Sequence, residues 1–217
     1  MIDDLDALVA EGPGPSGPAP GRHAIGAWIA IWASAITIGM GLLTQYGLTP
    51  GVAAAAPARW PGSDRLGLAP DVPTLVMVVH PRCSCSRASL SELAVLTTRL
   101  RDRIRAFVLF VPPGGDGTLG DADGLLGRAR ELEGVTVVVD DGGREAARLG
   151  AATSGQAYLY APAGDLLFAG GVTPMRGHEG DSLGRRSIVE IVESGHAERV
   201  RSDVYGCALS DPEQGER

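Results

Sequence analysis

Lysine is missing altogether: every basic residue is arginine, and Lys plus Arg number 19 against 26 Asp plus Glu, a formal charge of −7. An acidic chain without a basic cluster excludes a nucleic-acid-binding surface. Cysteine is scarce as well. Three thiols are too few to staple a small fold, and two of them, Cys83 and Cys85, stand one residue apart. That spacing points to redox or metal chemistry. The 44% hydrophobic content over 217 residues is ample for a core, which excludes both a disulfide miniprotein and a disordered chain.

Charge is also missing locally. Residues 1–23 carry Asp3, Asp4, Asp6 and Glu11 and then a Gly/Pro run, 12–21, that nucleates neither helix nor strand; they read as a disordered tail. A run of about 25 uncharged residues follows, 24–48, carrying Trp28, Trp32 and Tyr46, which is the length a helix needs to cross ~30 Å of hydrocarbon. The expectation is a single membrane span. Arg22 on one flank and Arg59 on the other leave a thin positive-inside bias, which places the N-terminus in the cytoplasm and the rest in the periplasm. The rival is a cleaved signal peptide, since residues 52–56 are small; it exports the same C-terminal part. Residues 49–72, rich in Ala, Pro and Gly, read as a linker, 73–209 as the folded domain, and 210–217 as a disordered end.

Beyond the linker the pattern alternates. An apolar strand at 75–79 leads into a helix with Leu90, Leu93, Leu96, Leu100 and Ile104 at helical spacing through Arg105, leaving Arg99, Arg101, Arg103 and Arg105 for solvent. A strand at 107–111 closes on a turn at 112–115. A short helix around Leu125 to Leu132, a strand at 135–139 and a helix at 144–149 come next. Strands at 156–160 and 166–169 flank Pro162, Ala163, Gly164 and Asp165 as a hairpin, and a last helix covers 183–194. The order βαβαβαββα predicts an α/β fold: a mixed sheet with helices on both faces, the first strand inside it and the hairpin strand antiparallel at one edge. Ligands of such sheets gather at the carboxyl ends of strands.

There the chain reads His80, Pro81, Arg82, Cys83, Ser84, Cys85, Ser86. A thiol at a helix N-terminus is held toward thiolate by unpaired N–H groups and the helix dipole, here with Arg82 and Arg87 adding charge. The expectation is an exposed, nucleophilic Cys83, with a less accessible Cys85 in the first helical turn able to resolve a mixed disulfide. The bland alternative makes both thiols inert small hydrophobes. His80 either serves the thiolate or a metal, or only ends the strand, as Pro81 does. A polar loop carries Met175, Arg176, His178, Glu179, Asp181 and Ser182. An N-cap at Asp181 or Ser182 accounts for part of it, while His178 is a candidate proton donor or metal ligand and Glu179 lies beside it. Cys207 has no spacing partner. Folded back, it would resolve Cys83 or complete a soft-metal site.

Three stretches together resemble the thioredoxin-like superfamily: the strand running into the Cys turn, the segment 137–150 (Val137 to Gly150, with Asp140, Gly143 and Ala146), and Tyr158, Leu159 and Tyr160 with Ala163, Gly164 and Asp165. The segment 137–150 is similar to a stretch of tethered thiol-disulfide oxidoreductases and peroxiredoxins, and the chain also resembles predicted bacterial membrane proteins of the RedB type. The resemblance covers residues 73–195 and implies a thioredoxin-like sheet, redox-active cysteines and no organic cofactor. It further implies partners that are protein thiols or disulfides, or a membrane reductase. Aligned on the family's Cys-x-x-Cys, Cys83 takes the first position, Ser86 the resolving one, and Cys85 is inserted; Gly155 takes the place of the family's cis-proline. His80 stands where a peroxiredoxin needs Thr or Ser. Monothiol, Cys-x-Cys and metal chemistry stay open. The different-class alternative is a copper-handling module built from Cys83, Cys85, Cys207 and His178.

Overall fold

The computed structural model describes residues 21–53, 55–112 and 124–209. The expected terminal tails within 1–20 and 210–217, and the turn after Pro112, lie outside the described residues, as does Ala54 of the small-residue run. The chain falls into two compact units that part between Thr44 and Gln45.

The described residues of the first unit, 21–44, lie almost wholly in helix α1 (Arg22–Leu48). Its stretch His23–Leu48 is long and apolar enough to cross a membrane, with a mean hydropathy of 1.7 and none of its apolar window buried. A soluble helix with Trp28, Ile29, Trp32, Leu42 and Leu43 all exposed would leave a continuous greasy surface in water.

The second unit holds one mixed sheet of β1 (Thr74–Val79), β2 (Arg105–Phe110), β3 (Val135–Val139), β4 (Gln156–Tyr160) and β5 (Leu166–Gly171), in the order β3-β2-β1-β4-β5. β1 runs parallel to β2 and antiparallel to β4, so the strand that delivers the cysteines is central and fully buried. This is the mixed sheet expected from the sequence, with the first strand inside it, the hairpin strand antiparallel at one edge and helices on both faces. The two-residue period of β1 splits it cleanly. Leu75, Met77 and Val79 enter one core with Leu90, Leu93 and Leu96 of α2 (Cys85–Arg99), Ala129 of α3 (Leu125–Arg130) and Ile188 of α5 (Leu183–Ser194). Val76 and Val78 enter a second core with Ala146 of α4 (Arg144–Arg148), Tyr158, Tyr160 and Leu66.

Two expectations need correcting. Helix α2 does not run to Arg105: it stops at Arg99, its C-cap Leu100 bonds back to Leu96, and Asp102 takes a left-handed conformation (φ 56°). Arg105 then opens β2, paired with Thr74, because the parallel register with β1 starts the strand two residues earlier than the apolar run suggests. Nor are the described residues of 49–72 a loose linker. Ala58 O accepts from Leu166 N at 2.9 Å, Trp60 N donates to Gly164 O at 2.7 Å, Trp60 packs edge-on to Tyr160, and Leu66 is buried. Apolar residues scattered among Ala and Pro give this segment enough area to bury against the hairpin.

Past α5 the chain folds back as a strap, residues 199–209. Val200 O accepts from Ala169 N and Asp203 O from Gly171 N, covering the open edge of β5, and Val204 O accepts from Gly51 N at 2.8 Å. An unpaired sheet edge is thereby closed by the chain's own backbone.

Candidate active site

β1 ends at Val79, and the next seven residues make a tight turn into α2. The Cys83 amide donates to His80 O at 3.1 Å and the Ser86 amide to Cys83 O at 3.0 Å. His80 organises this turn: its Nδ1 accepts from Arg82 N at 3.2 Å, and its carbonyl also accepts from the Ser86 hydroxyl at 3.0 Å. Pro81 is buried under the turn, whereas Arg82 is exposed. Ser84 is the N-cap of α2, without a side-chain cap bond, and Cys85 is the first helical residue. The helix therefore begins where the thiol spacing predicts, with Cys83 just ahead of it.

The loop before β4 faces this turn. Ser154 Oγ lies 2.8 Å from Ser86 Oγ and accepts from His80 N at 2.9 Å. Gly155 holds φ +90° and donates its amide to Val78 O at 2.7 Å. A Cβ there would come 2.7 Å from Ser89 Oγ of α2, so glycine lets the loop approach the helix.

Exposure differs from expectation. Cys83 is only 4% exposed and Cys85 7%, so Cys83 is not the open thiol that its position suggested. The cover is the strap. Cys207 places its sulfur 3.0 Å from Cys83 Sγ and points its amide at the same sulfur at 3.4 Å. Residue Cys207 is itself open to solvent on its outer side. The strap is seated by Ser154 N donating to Cys207 O at 2.8 Å, Leu209 N donating to Ala152 O at 2.9 Å, and a bridge of Thr153 with Ala208. Gly206 lies so close to the loop that a Cβ would fall 1.9 Å from Ser154 O.

Electrostatics divides the three thiols. Burial alone would raise the pKa of Cys83, but hydrogen bonds from the Cys207 thiol and amide, the Cys85 amide and the Ser86 hydroxyl outweigh it, and the net shift is downward. Cys85 is pushed up, by burial first and then by the charge of Cys83. Cys207 is pushed up to about 12 by burial, by its hydrogen bond to Cys83 and by the charges of Cys83 and Cys85, with Arg176 acting in the opposite sense. Of the three thiols, Cys83 alone is shifted toward the thiolate.

The loop before α5 contributes through Arg176. Its Nη1 donates to Gly206 O at 2.5 Å and its Nε to Thr49 O at 3.1 Å, with the guanidinium over the Tyr46 ring. His178 instead turns to its own loop, Nδ1 2.8 Å from Arg176 O, and both it and Glu179 are exposed. Ser182 is the N-cap of α5, accepting from Arg185 N. Asp140 of the 137–150 segment has a structural task, its carboxylate accepting from the Glu145 and Ala146 amides at the start of α4. Among the described residues, no group of three or more His, Cys, Asp and Glu is arranged to hold a metal ion.

Ser154, Arg176 as a clamp and Gly206 are the contributors that the sequence did not single out. The one available signal was Ser154 standing next to Gly155.

No family model matches the sequence, and no curated protein matches it. Solved structures do resemble the fold. An uncharacterised conserved protein from Geobacillus kaustophilus aligns with TM-score 0.54 and 16% identity, over 76% of this chain and 93% of that one. A hypothetical protein from Sinorhizobium meliloti aligns with TM-score 0.55 and 20% identity, over 75% and 94%. The exposed lipoprotein thioredoxin Etrx1 from Streptococcus pneumoniae aligns with TM-score 0.42 and 17% identity, over 57% and 85%, a likeness too distant to bear on function. At these identities the likeness is one of fold.

Proposed function

We propose that this chain is a membrane-anchored thiol-disulfide exchange protein of the tethered thioredoxin-like type, with Cys83 as the attacking sulfur. The observation that carries the reading is the surround of Cys83 Sγ: a second thiol at 3.0 Å, that residue's amide at 3.4 Å, and a net pull toward thiolate. A thiolate is the species that attacks a disulfide. Cys83 displaces one sulfur of a client disulfide, forming a mixed disulfide and releasing the other sulfur as a thiolate. A second protein thiol then attacks the Cys83 sulfur and frees the client. Protein thiols or disulfides, or a membrane reductase that resets the pair, are the partners this chemistry requires.

Helix α1 supports anchoring, and the flanking arginines favour a cytoplasmic N-terminus with the sheet domain on the periplasmic side. A membrane-impermeant maleimide applied to intact spheroplasts tests this. Labelling of the reduced domain from outside is expected, and labelling only after lysis overturns the orientation.

For the chemistry, the detergent-solubilised full-length protein is assayed for free thiols with and without reductant and for bound metal. Two thiols that disappear on oxidation and return on reduction, without metal, are expected. Stoichiometric copper held by the thiols overturns exchange in favour of metal handling, and thiols inert to oxidants overturn both.

A further inference from the structure

We infer that Cys207, carried on the 199–209 strap, is the resolving thiol of the exchange at Cys83, so that the disulfide formed is Cys83–Cys207. The inference rests on the thiol-exchange reading above and adds to it the identity of the second sulfur.

Geometry separates the two contenders. Cys85 lies two residues from Cys83 across Ser84, which already has helical dihedrals (φ −59°, ψ −30°); its thiol also hydrogen-bonds Cys83, but closing a sulfur–sulfur bond over one intervening residue on a helical turn demands strained disulfide geometry. Cys85 is also sealed in the first turn of α2, 7% exposed. The Cys207 sulfur is already in contact with Cys83, and its place is fixed from three sides. Arg176 holds Gly206 O, Ser154 N holds Cys207 O, and Gly206 fits where no side chain would. A backbone tied on either side of a cysteine is preorganised for one reaction partner.

The charge arrangement suits the order of events. The sulfurs are 3.0 Å apart, and the lowered pKa of Cys83 beside the raised one of Cys207 leaves the proton on Cys207 while Cys83 attacks. Once Cys83 is tied up in a mixed disulfide, its negative charge and the hydrogen bond no longer raise the Cys207 pKa; burial still does, and Arg176 still acts in the opposite sense. The first step therefore removes both contributions that Cys83 makes to keeping Cys207 protonated.

With glutathione disulfide as the client, the steps balance. Cys83 thiolate attacks it to give a Cys83–glutathione disulfide and one glutathione thiolate. Cys207 gives up its proton and attacks the Cys83 sulfur, and the second glutathione leaves. Cys83 and Cys207 are oxidised by two electrons, and two glutathiones are released reduced; one takes up the Cys207 proton and the other a proton from solvent, replacing the one lost when Cys83 ionised.

The test treats reduced full-length protein in detergent with glutathione disulfide and follows intact mass and non-reducing peptide maps. Wild type and Cys85→Ser are expected to lose the glutathione adduct quickly and to show a peptide carrying Cys83 linked to one carrying Cys207. Cys207→Ser is expected to keep glutathione on Cys83, with adduct loss slowed by at least about tenfold. A Cys207→Ser protein that clears the adduct at the wild-type rate, or a wild-type map in which the Cys207 thiol stays free, overturns the inference and leaves exchange at Cys83 standing. Failure of Cys83 to take up glutathione in every variant overturns the exchange reading and this inference with it.

Discussion

Cys83 owes its thiolate character to a neighbour from the far end of the chain, which makes a directional prediction. Its folded pKa is lowered, so its alkylation by iodoacetamide sets in at a lower pH than that of an ordinary thiol. In Cys207→Ala the side-chain donor is gone while the backbone amide stays, and the midpoint moves up in pH, read by mass spectrometry of the Cys83 peptide. A lowered acid contributes stability above its unfolded value and loses it as pH falls through the folded one, so the reduced protein loses that contribution on acidification. A second residue behaves in the opposite sense. The Tyr158 hydroxyl is buried without a hydrogen-bond partner, and burial raises its pKa. Its contribution is full below 10.0 and lost as pH rises through the folded value. Because the unpaired hydroxyl costs desolvation and returns no bond, Tyr158→Phe is expected to stabilise the protein by about 1 kcal/mol in urea unfolding and to flatten its alkaline loss.

At the scale of elements, two contacts position the Cys turn. Helices α2 and α5 are stapled by Glu92, 2% exposed, whose carboxylate accepts from Arg185 Nη1 at 2.7 Å and Gly180 N at 2.6 Å. Glu92→Ala leaves the Gly180 amide without its acceptor and Arg185 with only Asp181, and a loss of about 2 kcal/mol is expected in chemical denaturation. The strap is seated by close approach at Gly206. Gly206→Ala is expected to lift it, so that Cys83 alkylates faster and the Cys83–Cys207 cross-link yield drops, both read on one peptide map. Much of the strand and helix order was legible because it is written locally: the short unbroken apolar run of β1, the helical spacing of Leu90, Leu93 and Leu96, and the turn chemistry at Gly164. The turn of Cys83 and Cys85 was legible for the same reason. The strap was not, since residues 199–209 have no strong period of their own and fold by borrowing hydrogen bonds from β5 and the 152–154 loop. The end of α2 was misplaced because Leu100 and Ile104 keep a helical spacing after the backbone has turned.

For the molecule as a whole, a Cys83–Cys207 bond would join residues 124 apart and enclose nearly the entire sheet in one loop. Constraining so long a segment of the unfolded chain stabilises by about 4–5 kcal/mol in the loop-entropy account. The oxidised protein is therefore expected to unfold at distinctly higher denaturant than the reduced one, and Cys207→Ser should erase the difference while Cys85→Ser keeps it.

The same 124-residue separation sets a timetable. Under the proposed topology, a chain threaded out amino end first delivers Cys83 and Cys85 to the far compartment while Cys207 is still being synthesised or translocated behind them. Until residues 199–209 arrive, the newborn domain holds the proposed nucleophile without its proposed mate, and the pair is complete only when that strap has emerged.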